Sequence, residues 1–398
     1  MQLLLLGRRV GVDTSRVPPA AVRRLEHVWQ DCLAADDGEA PQDVIRLLPP
    51  GCSDEAGVED LVLGDLGLDH TYTVSQHLTA YAIRHAAGEL LMFHAAGLAP
   101  LPVPAEEEGA VPLAVVGIIA ASGTGKTTFC KRLVDGFGYV TDETLAIRPG
   151  DLSVISYPKP LSVVNEEPEK ALVLARHKAD HAPAELGLTP VRPDTACRLA
   201  ALVVAERVAE GNELVPITLA QALELAVAQS SSVYQLDEPL RVLSRSLTLA
   251  GGPWLLRFSD QAACGQMLVA LAQQSQAHTV PWKHIPAPHP PADGPQEGGS
   301  LDVCNRPVLA PDEVLRRACW DDAVESEGSV ILLYGRTPVT LGGPGAAVWL
   351  ALDEPMSLAQ AHDRVLSVMG DHPDSWALVA QAAHQLVTQG VLKVGARP

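Results

Sequence analysis

The residues with the most chemical content are Ala120-Ala121-Ser122-Gly123-Thr124-Gly125-Lys126-Thr127-Thr128, behind the apolar run Leu113 to Ile119 and ahead of a short helical pattern. A strand, a glycine turn and a helix start carrying a lysine and a hydroxyl form a cradle for nucleotide phosphates. The backbone N–H groups around Gly123 and Gly125 are expected to face the phosphates. Lys126 is then expected to reach the β and γ oxygens, and the Thr127 hydroxyl to sit on Mg²⁺. Ser122, Gly123, Thr124, Gly125, Lys126, Thr127 and Thr128 are thus the candidate ATP-binding residues. Ala120 stands where the usual pattern has its first glycine. A methyl fits there if the local φ is negative.

The strand-like run Tyr139-Val140-Thr141 follows directly on the helix of this loop and ends in Asp142-Glu143. Its C-terminal end should therefore emerge beside the loop. Two carboxylates there can divide labour, one orienting Mg²⁺ and the other accepting the proton of an incoming hydroxyl. Thr127, Asp142 and Glu143 are the candidate metal ligands; Lys126, Asp142 and Glu143 are the candidate catalytic groups, and the residues alone leave open which carboxylate is the base. Lys159, Arg148, Arg192 and Arg257 are further cations that could meet a transferred phosphate, and the sequence does not choose among them.

The elements that must position these groups belong to a chain of 398 residues, enough for two or three domains with a large core. Hydrophobic residues make up 47% of it, which excludes a disordered chain. A net charge of −19 argues against a nucleic-acid binder, which needs a concentrated basic surface. The opening Met1-Gln2-Leu3-Leu4-Leu5-Leu6 is followed at once by Arg8 and Arg9 and reads as a first strand. No uncharged apolar stretch approaches a membrane span, so no membrane partner and a cytoplasmic location are expected. The seven cysteines are scattered and never form a CxxC pair, so they read as reduced thiols.

Residues 1–74 read as a small α+β element with strand-like runs at Leu3 to Leu6, Val44 to Leu48 and Leu61 to Leu63. Residues 75–280 read as an α/β nucleotide-binding domain. It opens on an amphipathic helix over Ser75 to Ala87 and a buried strand over Leu90 to Phe93, and an acidic loop, Glu106 to Gly109, leads to the loop strand. Strands are expected at Leu145 to Ile147, Val154 to Tyr157 and Trp254 to Phe258. Helices are expected over Thr195 to Ala209, Leu219 to Gln229 and Ala262 to Gln274. Residues 281–300 are rich in proline and glycine and read as a linker.

Residues 301–398 read as a separate unit. It has a strand over Ser329 to Leu333 and a helix over Pro344 to Leu352. A capping box at Ser357 and Gln360 opens a second helix, and a final helix over Asp374 to Gln389 stops at Gly390. Three helices with a small hairpin make a winged-helix shape. The final helix carries no Lys or Arg, which speaks against reading DNA with it.

The segment from Phe93-His94-Ala95-Ala96-Gly97, through the loop, to Gly138-Tyr139-Val140-Thr141-Asp142-Glu143 resembles the HPr kinase/phosphorylase-like family. The resemblance covers about residues 75 to 275. It implies a P-loop kinase core that uses ATP and Mg²⁺, with His94 at the active site and Asp142-Glu143 serving as metal ligand and catalytic base. The family more often has Asp-Asp at that pair, and Tyr157-Pro158-Lys159-Pro160-Leu161-Ser162 looks like a proline-rich segment of these relatives. It also implies a capacity for homo-oligomer assembly.

Val330-Ile331-Leu332-Leu333, Gly345-Ala346-Ala347-Val348-Trp349-Leu350 and the closing Leu386-Val387-Thr388-Gln389-Gly390-Val391-Leu392 look like a PqqD-like peptide-binding domain. That resemblance implies capture of a ribosomally made precursor peptide. The joint expectation is phosphoryl transfer from Mg-ATP to a Ser or Thr hydroxyl of that peptide, held at high effective concentration, with Asp142 as the base. The alternatives are a kinase for a small hydroxyl-bearing substrate or free amino acid, and a nucleotide-gated peptide-binding protein with little turnover. A nucleotidyl transferase to the same hydroxyl is also chemically open.

Overall fold

The computed structural model describes residues 1–53, 56–64, 70–101, 111–164, 178–274, 280–288 and 308–395. The expected loop Glu106 to Gly109 and residues 289–300 of the expected linker lie outside this set. The architecture is mixed α/β with several sheets, and the chain forms two compact units that are not continuous in sequence. The first holds Met1–Ile217, Ala228–Leu236 and Ser246–His278; the second holds Thr218–Val227, Asp237–Arg245 and Thr279–Pro398. Residues 1–74 therefore share a unit with the glycine loop. The reason is a common core: Leu3, Leu5, Trp29 and Ile45 pack with Leu78 and Tyr81 and with Met92, Ala146 and Tyr157 of the segment that follows.

In the first unit, Gln2–Leu5 pairs antiparallel with Arg8–Asp13, which runs parallel to Asp43–Leu48. Leu3 and Leu5 are fully buried, as an inward-facing strand pattern requires. Beyond the helix Thr71–Ala86, a ten-stranded mixed sheet is built around the strand Leu91–Pro100. That strand is longer than the run Leu90 to Phe93 that its apolar side chains advertise. Its first half pairs with Thr144–Ile147 and its second half with the loop strand Leu113–Ile119 and with Phe137–Thr141.

Gly97 and Gly117 face each other across this ladder. A Cβ on Gly117 would lie 2.5 Å from Leu145 Cδ2 and 2.6 Å from Leu202 Cδ1. Only glycine leaves room for both leucines there.

The stretch expected to be a helix over Thr195 to Ala209 is instead the strand Cys197–Arg207. It runs parallel to both Leu113–Ile119 and Trp254–Phe258. Its residues from Leu199 to Ala205 are all buried. A strand covered on both faces has a continuous apolar run, and such a run shows neither a period of two nor one of 3.6 to the reader of a sequence.

In the second unit a four-stranded antiparallel sheet runs in the order Trp282–Pro286, Asp322–Ser326, Ser329–Tyr334, Thr337–Leu341. The first of these corrects the linker reading over residues 282–286. Its prolines border an edge strand, where a missing N–H is tolerated. The three helices Gly343–Ala351, Leu358–Met369 and Ser375–Thr388 pack with a three-stranded sheet of Met356–Ser357, Val314–Arg317 and Leu392–Val394. The Ser357 side chain accepts the Gln360 N–H and Gln360 returns the bond, a capping box that sets the start of the second helix. Trp349 is fully buried, with the Arg317 guanidinium 3.7 Å above its ring. Asp322, also fully buried, accepts the Leu240 N–H at 2.7 Å and lies 2.7 Å from His284 Nε2.

Candidate functional site

The loop after Leu113–Ile119 turns through two glycines held in left-handed backbone, Gly123 at φ +80° and Gly125 at φ +108°. Gly125 then caps the short helix Lys126–Arg132. Ala120, at the position usually filled by glycine, does not adopt a positive φ, so its methyl costs the turn nothing. Ser122, Gly123 and Thr128 are exposed, and Thr124, Gly125 and Thr127 are half-buried. Gln261 closes over the turn: a Cβ on Gly125 would lie 2.9 Å from its Nε2.

Lys126 is buried and folds back on the loop, donating to Ala120 O at 2.6 Å and Ala121 O at 3.0 Å. Burial pushes its pKa down to about 8, against the pull of Asp142 and Glu143. The next residue meets the acidic pair directly: Thr127 Oγ1 donates to Asp142 Oδ2 at 2.7 Å. The other oxygen, Asp142 Oδ1, lies 3.0 Å from the Tyr139 hydroxyl. Tyr139 is buried three residues earlier, on the strand Phe137–Thr141, and its hydroxyl also lies 3.0 Å from Lys159 O.

Glu143 turns the other way. Its Oε2 lies 2.7 Å from Lys159 Nζ, which is also 3.7 Å from Asp142 Oδ1. The Lys159 charge holds the Glu143 carboxyl below its usual range, more than offsetting its burial. Burial alone would lower the Lys159 pKa, but Glu143 and Asp142 outweigh it and raise it. Asp142 is almost sealed, with a side chain 5% exposed, whereas that of Glu143 is 28% exposed.

His94 lies opposite Thr144 in the neighbouring strand, and its ring meets the Glu143 main chain. The His94 main-chain N–H donates to Gln229 O at 2.8 Å. Burial first, and then the Lys126 charge, lower the pKa of the ring.

The structure thus brings Lys126, Thr127, Asp142, Glu143 and His94 together at one end of the sheet. It does not bring the three candidate arginines there. Arg192 pairs with Asp194, Arg257 pairs with Glu206 and Glu213, and Arg148 is an exposed residue of a turn. Lys159 is at the site, but buried against carboxylates and not free to meet a phosphate. Tyr139 and Gln261 were not singled out from the sequence. The signal for Tyr139 was its place three residues before Asp142; for Gln261 there was none.

Among the described residues, no group of three or more His, Cys, Asp or Glu side chains is disposed to hold a metal ion alone. The donor set at the loop, one hydroxyl and one carboxylate oxygen 2.7 Å apart, is nevertheless suited to Mg²⁺. That ion keeps several waters and is bound through one or two carboxylates plus substrate phosphates.

The second unit has a groove of its own, about 320 Å³ in volume, between the edge strand Thr337–Leu341 and the final helix. Thr340, Leu341, Leu378, Gln381 and Gln385 line it. Among the described residues, the strand has no neighbour on its outer side. No helix of the described residues is long and apolar enough to cross a membrane.

No protein-family model matches this chain, and no curated protein matches it.

Proposed function

We propose that this chain is an ATP-dependent phosphotransferase with a P-loop core of the HPr kinase-like type. It would transfer the γ-phosphoryl group to a Ser or Thr hydroxyl of a ribosomally made peptide, held by a C-terminal winged-helix unit of the PqqD-like type. The observation that carries this reading is the meeting of Thr127 and Asp142 beside a glycine turn that also presents Lys126.

In this reading the loop amides around Gly123 and Gly125 bind the phosphates, and Lys126 exchanges its two loop carbonyls for phosphate oxygens. Bound with the nucleotide, Mg²⁺ supplies neutralising charge for the transferred group, and Thr127 and Asp142 are the residues that would hold it. Positioning and electrostatics, more than covalent chemistry, are what such a site must supply.

Of the two carboxylates, Glu143 is the better acceptor of the substrate proton. Asp142 accepts from Thr127, has the Tyr139 hydroxyl 3.0 Å from its other oxygen and is nearly sealed, while Glu143 keeps part of its carboxylate open. This departs from the assignment of the base to Asp142 by sequence. His94, whose ring meets the Glu143 main chain, would orient the acceptor side.

The unpaired edge of Thr337–Leu341 supports peptide capture, because an extended chain adds to such an edge through main-chain hydrogen bonds. The apolar and amide side chains of the adjoining groove would then read alternate residues of the bound strand.

The test is the intact mass of Ser- and Thr-containing peptides after incubation with the protein, ATP and Mg²⁺. A gain of one phosphate, absent with Lys126→Ala, supports the reading. Saturable nucleotide binding with no mass change on any peptide, but with phosphate appearing on free serine or threonine, would replace it by a small-molecule kinase.

A further inference from the structure

Lys159 sits between two prolines, in Tyr157-Pro158-Lys159-Pro160, and is 1% exposed. Prolines on both sides fix the backbone there, since Pro158 locks its own φ and Pro160 restricts the residue before it. The segment is tied down further by Tyr157 N–H to Val140 O at 3.1 Å and by Lys159 N–H to Tyr157 O at 2.8 Å. Its carbonyl lies 3.0 Å from the Tyr139 hydroxyl. The ammonium donates to Pro160 O at 3.0 Å and lies 2.7 Å from Glu143 Oε2. A lysine so completely withdrawn from solvent is rare unless paired, and here the pairing is with the group assigned above to the acceptor side.

We infer that Lys159 is the positioning residue of the transfer site: it clamps one oxygen of Glu143, so that the other is presented to the acceptor hydroxyl. It also offsets one of the two negative charges that stand side by side at Asp142 and Glu143. Lys159 touches neither substrate nor phosphate and acts through Glu143. This rests on the phosphotransferase reading and adds to it a residue without which the carboxylate is unfixed.

The test uses the full chain and water as the acceptor, with phosphate release from Mg-ATP as the readout and ADP affinity by calorimetry beside it. Lys159→Met keeps the stem and removes the charge. It is expected to lower kcat by about 10- to 100-fold, the usual cost of losing a supporting partner. The KM for ATP and the ADP affinity should stay within about threefold, a split expected when only transition-state interactions are lost. Lys159→Arg should recover most of the rate. In a Glu143→Gln background, Lys159→Met should cost little more, because the two act as one unit.

An unchanged kcat in Lys159→Met beside an active unsubstituted protein overturns the inference alone. So does the same rate loss in the Glu143→Gln background, or a loss of ADP affinity equal to the loss of rate. Should Lys159→Met not fold, Lys159→Arg and the Glu143→Gln pair of chains decide: a rate in Lys159→Arg as low as in Glu143→Gln overturns the clamp. If the unsubstituted protein binds no nucleotide, the phosphotransferase reading falls, and the role of Lys159 falls with it.

Discussion

Thr127 Oγ1 and Asp142 Oδ2 are 2.7 Å apart, joining the first turn of the loop helix to the residue just beyond the next strand. The bond has a direction: the hydroxyl donates and the carboxylate accepts. In the proposed function, a cation entering with a nucleotide would take an oxygen from each. Glu143, one residue on, points instead to Lys159, so adjacent carboxylates have different neighbours and different access.

That difference separates their substitutions. Asp142→Asn should weaken Mg-nucleotide binding by about 10-fold or more, as loss of a metal-side group does. Glu143→Gln should leave binding near normal and lower the transfer rate by about 100-fold or more, in the range of a lost general base. Calorimetry with ADP and Mg²⁺, beside phosphate release, checks both. Equal effects of the two substitutions on binding would undo the division.

Lys126 gives a pH dependence with a definite sign. In the free protein its pKa is pushed down to about 8 by burial, and phosphate binding favours the charged form. Affinity for ADP should therefore be full below that value and fall as pH rises through it and beyond. Above pH 8 binding should take up a proton, seen as a dependence of the binding heat on the ionisation heat of the buffer. Lys126→Met should abolish the proton uptake.

Gly117→Ala should destabilise the protein without touching the loop. The added methyl collides with Leu145 and Leu202, both fully or nearly fully buried. Overpacking of this kind costs about 1–3 kcal/mol. Denaturant unfolding checks it, and Leu202→Ala in the same chain should recover part of the loss by opening space.

Asp322→Ala should also destabilise, by a different mechanism. It leaves the Leu240 N–H without its buried acceptor and His284 without its 2.7 Å partner. A buried N–H left without its acceptor costs about 1–3 kcal/mol. Thermal unfolding should show the loss, and Asp322→Asn, which keeps an acceptor oxygen, should lose less.

Leu378→Asp tests the groove beside the strand Thr337–Leu341. Leu378 is 43% exposed, so a charge there is tolerated by the fold but disfavours an apolar side chain of a bound peptide. Peptide binding should weaken about 10-fold or more, the effect of losing an interface anchor of 1–2 kcal/mol, while ADP affinity stays unchanged.

What the chain determined by itself is what depends on near neighbours. Gly123 and Gly125 with Lys126 and Thr127 mark their turn because only glycine adopts those φ values freely. Ser357 and Gln360 mark a helix start, and Gly390 at φ +78° ends the last helix, because caps are made within a few residues.

Tertiary structure alone decided the rest. Cys197–Arg207 became a strand because parallel neighbours cover it on both sides, which an apolar run cannot announce. Trp282–Pro286 became a strand because Asp322–Ser326 lies alongside it. Lys159, which the sequence offered as one cation among several, became a buried ion-pair partner because the sheet carries Asp142 and Glu143 to its side. A turn or a cap is made by bonds within a few residues, whereas a strand's partners and a buried charge's counter-ion lie far along the chain and meet only when the core closes.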